Sequence, residues 1–545
     1  MSIVGMRKFM AGRLQHIMLA LAFVFAVGWI GICIGSGRFE QKQEASGGPI
    51  AKINGEKLDR LAFEQKFQNM LEDMLDEIRE QQGSYTLSAF EEGMIRGRMF
   101  DEIVDQMLRI QAAEKEGIKV SRRELKTRID QIIEAGMQPE KQRLLAGYKG
   151  KKTDEAFNRE LRKYGTSLSE FKSSIRRNID VDNVRQSIMV AKLGEKWKSS
   201  IDSSDKAVRE SFDEVRFRQI TISVEKRPVA SAERRARELL EKLRKGADFV
   251  ALAREHSEDP LKETGGERGY FMRRTYMESE LANVVFKLKP GEVGGPIKMP
   301  LGYTIVKLDE RRSALPADFN DPKKKKLYRE TYLAEEQSRV LREYPEKLRR
   351  SARIQIYDPE LRGYTLLREM STIGFFSPAA RKAQFEAAVK ECQKAVEQSQ
   401  ADPQAVTRAY AQIGYLYDQM RRPEFGLTKE EQVKYRAEAE KALQAAWEGS
   451  GSNDLDLMLA DIYLEESRPE KALEHLETAS ETATDPRIHR QLLDVLEGRE
   501  KELGSANVAG LIAQERKWLT DYDERMRERQ RLFGQPQPVA PKPRK

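Results

Sequence analysis

LANVVFKLKPGEVGGPIKMPLGYTIVKL (281–308) is the stretch whose reading decides the fold of this chain. Two further glycine-marked or loop-like segments precede it, AREHSEDP (253–260) and GGERGYF (265–271). Further back, VRFRQITISV (215–224) puts Ile220, Ile222 and Val224 on one side, the alternation of a half-buried strand. A helix carrying Ala232, Ala236, Leu239, Leu240 and Leu243 follows, and then Gly246-Ala-Asp-Phe249. Each glycine alone is an ordinary turn; the joint order marks 212–312 as one α/β unit.

Outward from that unit the chain turns helical. On the N-terminal side, Pro49–Leu58 reads as a short strand turning at Asn54-Gly55, since both residues tolerate positive φ. Asp59 can cap a helix with Leu61, Phe63, Phe67, Met70, Leu71, Met74 and Leu75 at helical period. Helices are expected at about 88–116, 121–135, 153–164 and 167–198, broken at Gly117, at Gly136-Met-Gln-Pro139 and at Gly165-Thr166. Ser121 with Glu124, and Ser167 with Glu170, form capping boxes. Met70, Met74, Met94, Met99 and Met107 suit either ordinary core or a flexible client groove. Beyond the unit, a helix at about 320–350 leads into Ala352–Tyr357, whose Ile354 and Ile356 alternate like Ile50 and Ile53. The two short segments are expected to pair, which would make 212–312 an insertion.

At 545 residues, three or four domains are expected. Charged residues make up 34%, and the net charge of +8 is small beside 96 basic and 88 acidic side chains. That balance does not ask for nucleic acid, which needs one concentrated basic face; the run Lys323–Lys326 reads as a solvated helix start. His16, His256, His475 and His489 are scattered, so no metal-ligand spacing and no histidine triad can be built, and no cofactor is expected. Cys33 and Cys392 are too far apart in sequence context to argue a disulfide.

Residues Ile17–Gly35 carry no charge, and at about 1.5 Å rise each they span about 28 Å, close to a hydrocarbon core. Arg7, Lys8 and Arg13 precede them with no acid, which keeps the N-terminus cytoplasmic. The exit, Ile32-Cys33-Ile34-Gly35-Ser36-Gly37, fits a cleavage site poorly, so an uncleaved anchor over 14–36 is expected.

These segments carry family resemblances. The strand–NG–helix opening, with FDEIVDQMLRIQAAEKEGIKVSRRELKTRID (100–130) and LRKYGTSLSEFKSSIRRNIDVDNVRQSI (161–188), resembles the N-terminal chaperone domain of the SurA and PpiD family. The series over 212–312 resembles the parvulin domain. Ala388, Cys392 and Ala395, then Ala442, Ala446 and Gly449, then Ala472, Leu476 and Ala479 share one spacing that resembles the tetratricopeptide repeat. The implied fold class is multidomain α+β. It comprises a cytoplasmic stub (1–13), the anchor (14–36) and a helical chaperone domain (50–211, completed by 315–357). An inserted parvulin unit (212–312), a repeat region of helical hairpins (358–533) and a proline-rich tail (534–545) follow.

The parvulin resemblance implies prolyl cis–trans isomerisation of newly exported polypeptides, at an inner membrane with the bulk in the periplasm. Asp259 matches the floor position that is Cys or Asp in relatives, and the two floor histidines fall on Gln219 and Thr304. Met277 and Leu281 match the apolar proline wall, with Phe271 beside them, and Arg268 replaces a usual apolar residue. Gln and Thr can hydrogen-bond across a strand pair but cannot reproduce paired imidazoles. Three readings therefore stand: a modest isomerase joined to a chaperone, a catalytically silent holdase of the same fold, and a scaffold whose repeats recruit a partner.

Overall fold

The computed structural model describes residues 48–533, apart from 83–84, 86, 147, 149, 225–226, 228, 273–278, 300–301, 374–377, 423–424 and 426. The anchor expected at 14–36 and the tail expected at 534–545 lie outside the described residues. Among the described residues, no helix is long and apolar enough to cross a membrane.

The described residues open with a hairpin. Strand β1 (Ala51–Ile53) turns through Asn54 (φ 51°) and Gly55 (φ 92°) into β2 (Glu56–Leu58), the left-handed pair that a two-residue turn needs. The Asp59 carboxylate then accepts the Ala62 N–H at 3.0 Å and caps α1 (Arg60–Gln82). Three hundred residues later β7 (Ile354–Ile356) returns antiparallel to β1, with Ala51 opposite Ile356 and Ile53 opposite Ile354. The pairing expected between 352–357 and 49–53 is present. Asn54 also locks the return with its own side chain, accepting the Arg353 N–H at 2.8 Å.

Beneath this sheet, α1 packs on α2 (Ala89–Lys115) through Phe63, Phe67, Phe100 and Ile103. Met70, Met74 and Met99 are buried in the same core, so these methionines are packing residues and not groove walls. Three helices extend the layer: α3 (Arg122–Leu144), α4 (Asp154–Lys163) and α5 (Leu168–Arg177); then α6 (Val181–Ser199) packs back on α2. Both expected capping boxes form. Two boundaries differ from the sequence reading. Helix α3 runs on through Pro139 to Leu144 instead of stopping at Gly136, because Met137 is buried against Phe157 and Leu161 in a local core that tertiary packing holds. The single helix expected over 167–198 is two, because the Asp180 carboxylate accepts the Asp182 and Asn183 N–H groups and starts a new one.

After the short α7 (Asp205–Glu210), the chain builds a four-stranded antiparallel sheet in the order β4-β3-β6-β5, from β3 (Asp213–Ser223), β4 (Glu267–Met272), β5 (Val293–Met299) and β6 (Gly302–Ser313). Helices α8 (Val229–Arg244) and α9 (Phe249–His256) cover one face through Ile220, Ile222 and Ile305. Helix α10 (Ser279–Val285) lies on the other face, against Val215, Phe217, Val306 and Leu308. The 30-residue α11 (Pro322–Ser351) then carries the chain back to β7, and Tyr344 on it stacks on Trp197 at 4.8 Å.

The remaining helices pack each on the next: α12 (Pro359–Ile373), α13 (Pro378–Gln398), α14 (Pro403–Met420), α15 (Lys429–Ser450), α16 (Asn453–Glu465), α17 (Pro469–Thr482), α18 (Pro486–Gly498), α19 (Glu500–Leu503) and α20 (Ser505–Phe533). The run closes on the N-terminal half of α2. Phe90 stacks on Tyr415 at 4.0 Å, Ala89 enters the core of α14–α20, and the Arg487 guanidinium lies 4.1 Å from the Tyr85 ring centre.

The junction of these parts is a buried ion cluster. The Arg96 guanidinium, 2% exposed, bonds Glu64 at 2.6 Å, Asp358 at 3.2 Å and Glu360 at 3.1 Å. Arg408 adds bonds to Glu360 at 3.1 Å and Glu92 at 3.0 Å, and Arg60 reaches Asp358 at 2.8 Å. Glycines on α2 admit the partners: a Cβ on Gly97 would lie 2.2 Å from the Tyr364 ring. Burial alone would raise the Asp358 carboxyl, but the Arg96 charge and hydrogen bonds, the Leu361 N–H and Arg60 outweigh it and hold it below its ordinary value.

Arg96→Met therefore leaves Asp358 and Glu360 buried without their shared cation, and is expected to cost roughly 3–5 kcal/mol, read as faster hydrogen exchange in β1 and β7 at pH 7. A carboxyl whose folded value is depressed stabilises above its unfolded value of about 4 and loses that contribution as pH falls. The gap between variant and parent is thus expected to narrow from pH 7 towards pH 3; a constant gap would show that the carboxylate charges are not the cause.

Candidate functional site

Along β3 the face turned to α10 changes character. Val215 and Phe217 are buried among apolar residues; Gln219 and Thr221, at the next two alternate positions, are polar. The opposite strand does the same, with Val306 and Leu308 at the apolar end and Thr304 at the polar one. Gln219 is 9% exposed and Thr304 4%, so both polar groups need partners.

Asp259 supplies them. Its Oδ2 accepts the Gln219 amide at 2.7 Å and the Thr221 hydroxyl at 2.8 Å, and its Oδ1 accepts the Leu261 N–H at 3.0 Å. Thr221 in turn lies 3.5 Å from Thr304, hydroxyl to hydroxyl. The structure brings Asp259, Gln219 and Thr304 into one polar cluster, linked through Thr221. Gln219 sits opposite Val306, not Thr304, so it reaches the acid and not the threonine. The cross-strand partner of Thr304 is Thr221, which the sequence reading missed; its place two residues after Gln219 on an alternating strand was the available signal.

The loop that presents Asp259 is fixed by the edge of β3. Strand β4 pairs with β3 only as far as Arg218, which leaves the backbone of 219–223 open on that side. Gly266 accepts the Gln219 N–H at 2.8 Å, the Ser257 hydroxyl accepts the Thr221 N–H at 3.0 Å, the Glu258 N–H donates to the Thr221 carbonyl at 2.9 Å, and the Glu258 carboxylate accepts the Ser223 N–H at 2.7 Å. The segment HSED (256–259) thus seals a sheet edge, and Asp259 is delivered over the floor as a consequence. Gly266, at φ 80°, lies so close to β3 that a Cβ would stand 2.1 Å from the Gln219 carbonyl oxygen.

The expected apolar wall is partly visible. Phe271 is half-buried, with its ring 5.7 Å from that of Phe217. Leu281, 2% exposed, is packed in the core of this face and backs the wall instead of lining it. Met277 lies outside the described residues. His256 stands on α9 and takes no part in the floor. Among the described residues there is no group of three or more His, Cys, Asp or Glu side chains that could hold a metal ion. Chemically, the arrangement offers an apolar surface beside a partly buried row of hydrogen-bonding groups, with no activated nucleophile among the described residues.

Two family models match the chain: the PPIC-type PPIASE domain over residues 219–310 and the SurA-like N-terminal domain over residues 5–185. Among curated proteins, the chain is 24% identical to "Foldase protein PrsA" of Caldanaerobacter subterraneus subsp. tengcongensis, over 62% of this chain and 98% of that one. It is 27% identical to "Chaperone SurA" of Chromohalobacter salexigens, over 45% of this chain and 54% of that one. Among solved structures, "Peptidylprolyl Isomerase (PrsA) from Bacillus anthracis" is 26% identical, covers 39% of this chain and 95% of that one, and superposes with a TM-score of 0.19. The chain therefore carries a SurA-like N-terminal domain and a parvulin-type isomerase domain.

Gly266→Ala is expected to cost at least about 2 kcal/mol, because it combines a left-handed backbone with a clash against backbone atoms. Gly269→Ala, also at positive φ (70°) but with open space around it, is expected to cost about 1 kcal/mol. Hydrogen exchange across 213–223 reads the difference; equal protection in the two variants would mean that Gly266 does not set the β3 edge.

Proposed function

We propose that the chain is a membrane-anchored, extracytoplasmic folding chaperone whose parvulin unit catalyses prolyl cis–trans isomerisation in newly exported polypeptides. The observation that carries the reading is the polar row Gln219–Asp259–Thr221–Thr304 set on one face of a sheet whose other end is apolar. Rotation about an X–Pro bond faces a barrier of about 18–20 kcal/mol and needs no covalent step. The proline ring would rest against Phe271 and Met277, backed by Leu281. The twisted amide has lost conjugation and is less polar than the planar one, so a partly dry surface favours it. Gln219 and Thr304, ordered through Asp259, are the groups within reach of the rotating carbonyl or of the amide nitrogen. No cofactor or metal is needed.

The domain reading follows from the same parts: residues 50–211 and 315–357 as the chaperone body, 212–312 as the inserted isomerase, and 358–533 as a tetratricopeptide-like arm. The uncharged run Ile17–Gly35, preceded by Arg7, Lys8 and Arg13, supports one uncleaved span with its N-terminus in the cytoplasm. The names foldase and chaperone among the relatives support action on unfolded clients. A second reading has a specific observation behind it. Asp259 already accepts from three donors and neither Gln219 nor Thr304 is an imidazole, which suits a silent client-binding module.

Proline-limited refolding separates these readings. The full chain in detergent is expected to accelerate the slow phase, Asp259→Ala to reduce that acceleration about tenfold or more, and the double change Gln219→His, Thr304→His to increase it. No acceleration by either the parent or the double variant would leave the holdase reading standing.

Topology is tested in cells. Protease added after opening the outer membrane alone is expected to digest the region 48–533. Protection of that region until the inner membrane is breached would overturn the extracytoplasmic assignment.

A further inference from the structure

The arginines of the isomerase sheet are paired with carboxylates, with one exception. Arg216 meets Glu267 and Glu310, Arg218 meets Glu267 and Asp309 at 3.0 Å, Arg311 meets Asp213, and Arg312 meets Glu214 at 2.7 Å. Arg268 makes no ion pair among the described residues. Its guanidinium carbon instead lies 5.3 Å from the centre of the Phe271 ring, and its Nε is buried with no hydrogen-bond partner among the described residues.

The place is informative. Arg268 stands between Gly266, which touches the backbone of Gln219, and Phe271, which packs on Phe217. It therefore lies where the polar floor meets the apolar wall, at a position that is apolar in the parvulin pattern. A guanidinium resting on an aromatic face gives up part of its hydration there while keeping a fork of N–H donors that fits a carboxylate in two-point contact. An unpaired fork beside a proline-binding surface is a receptor for a negative charge on the bound chain, and it repels a positive one.

We propose that Arg268 is a specificity-determining residue of this site, selecting client segments in which an Asp or Glu side chain adjoins the proline; the inference rests on the isomerase-site reading above. Its consequence is a preference set by charge next to the proline, on top of the apolar grip on the ring.

The test uses the full chain in detergent and short fluorescent peptides with Glu, Ala or Lys immediately before or after a single proline. Binding is read by anisotropy and turnover by a protease-coupled isomerisation assay. The parent is expected to favour Glu over Lys about fivefold, a margin typical of one exposed ion pair, and the margin is expected to shrink as salt rises. Arg268→Leu should bring the ratio to about one, and Arg268→Glu should invert it. A Glu-to-Lys ratio that is the same in the parent and in Arg268→Glu overturns the proposal. Charge-selective binding without turnover upholds it while removing the catalytic reading, and turnover without charge preference does the reverse. Absence of both binding and turnover overturns both.

Discussion

The fold depends on one guanidinium kept out of water. Arg96 lies two turns into α2, yet its carboxylate partners come from α1 (Glu64), from the residue two after β7 (Asp358) and from the first turn of α12 (Glu360). A fully buried, unpaired cation would be prohibitive, so all three segments have to arrive before Arg96 can be enclosed. A lysine could not hold them alike, because a point charge on a flexible stem lacks the planar fork that meets three acceptors at once. The cluster therefore acts as a register device. It fixes where the chain must return after its excursion from β3 to α11, and it fixes the start of the helical arm in the same place. Arg408 extends the constraint into α14, so the arm is joined to the chaperone body by charges that neither part can leave buried alone.

The site follows from a different constraint, the unfinished edge of β3. Because β4 stops pairing at Arg218, the polar backbone of the next five residues has to be covered, and the HSED and Gly265-Gly266 segments do so. Once they are pinned, Asp259 has one direction to point, over the floor. The acid then orders Gln219 and Thr221 through two short hydrogen bonds. Positioning is thereby a by-product of satisfying a sheet edge.

What the sequence made legible were the features with local periods or obligatory glycines. The alternation of Ile220 and Ile222, the GG-x-x-G run and the Asn54-Gly55 turn each have a physical reason that acts within a few residues, and each is found in the structure. The β1–β7 pairing was readable because two short segments both alternated isoleucines. The Arg96 cluster was not readable, since nothing local distinguishes a buried arginine on α2 from the many exposed ones, and its partners lie up to 264 residues away. The continuation of α3 through Pro139 was not readable for the same reason: Met137 is held by Phe157 and Leu161, and that packing outweighs the local signal to stop. Thr221 was overlooked because the family pattern drew attention to Gln219 and Thr304, whereas strand parity places Thr221 between them.

The helical arm bears on how the body and its clients are arranged. One face of the arm is covered by the chain itself: Ala89 sits in its core, Phe90 stacks on Tyr415, and Arg487 lies against both Tyr85 and Glu91. A partner binding that face would have to displace the start of α2, and with it a helix whose Arg96 is fixed in the ion cluster. Contacts of this kind brace the arm against the chaperone body. Met70, Met74 and Met99 are spent on the core between α1 and α2, whereas Met94 and Met107 are only partly buried. On the isomerase sheet, by contrast, Phe271 is half-buried and the Arg268 guanidinium rests 5.3 Å from its ring centre, with no carboxylate partner among the described residues.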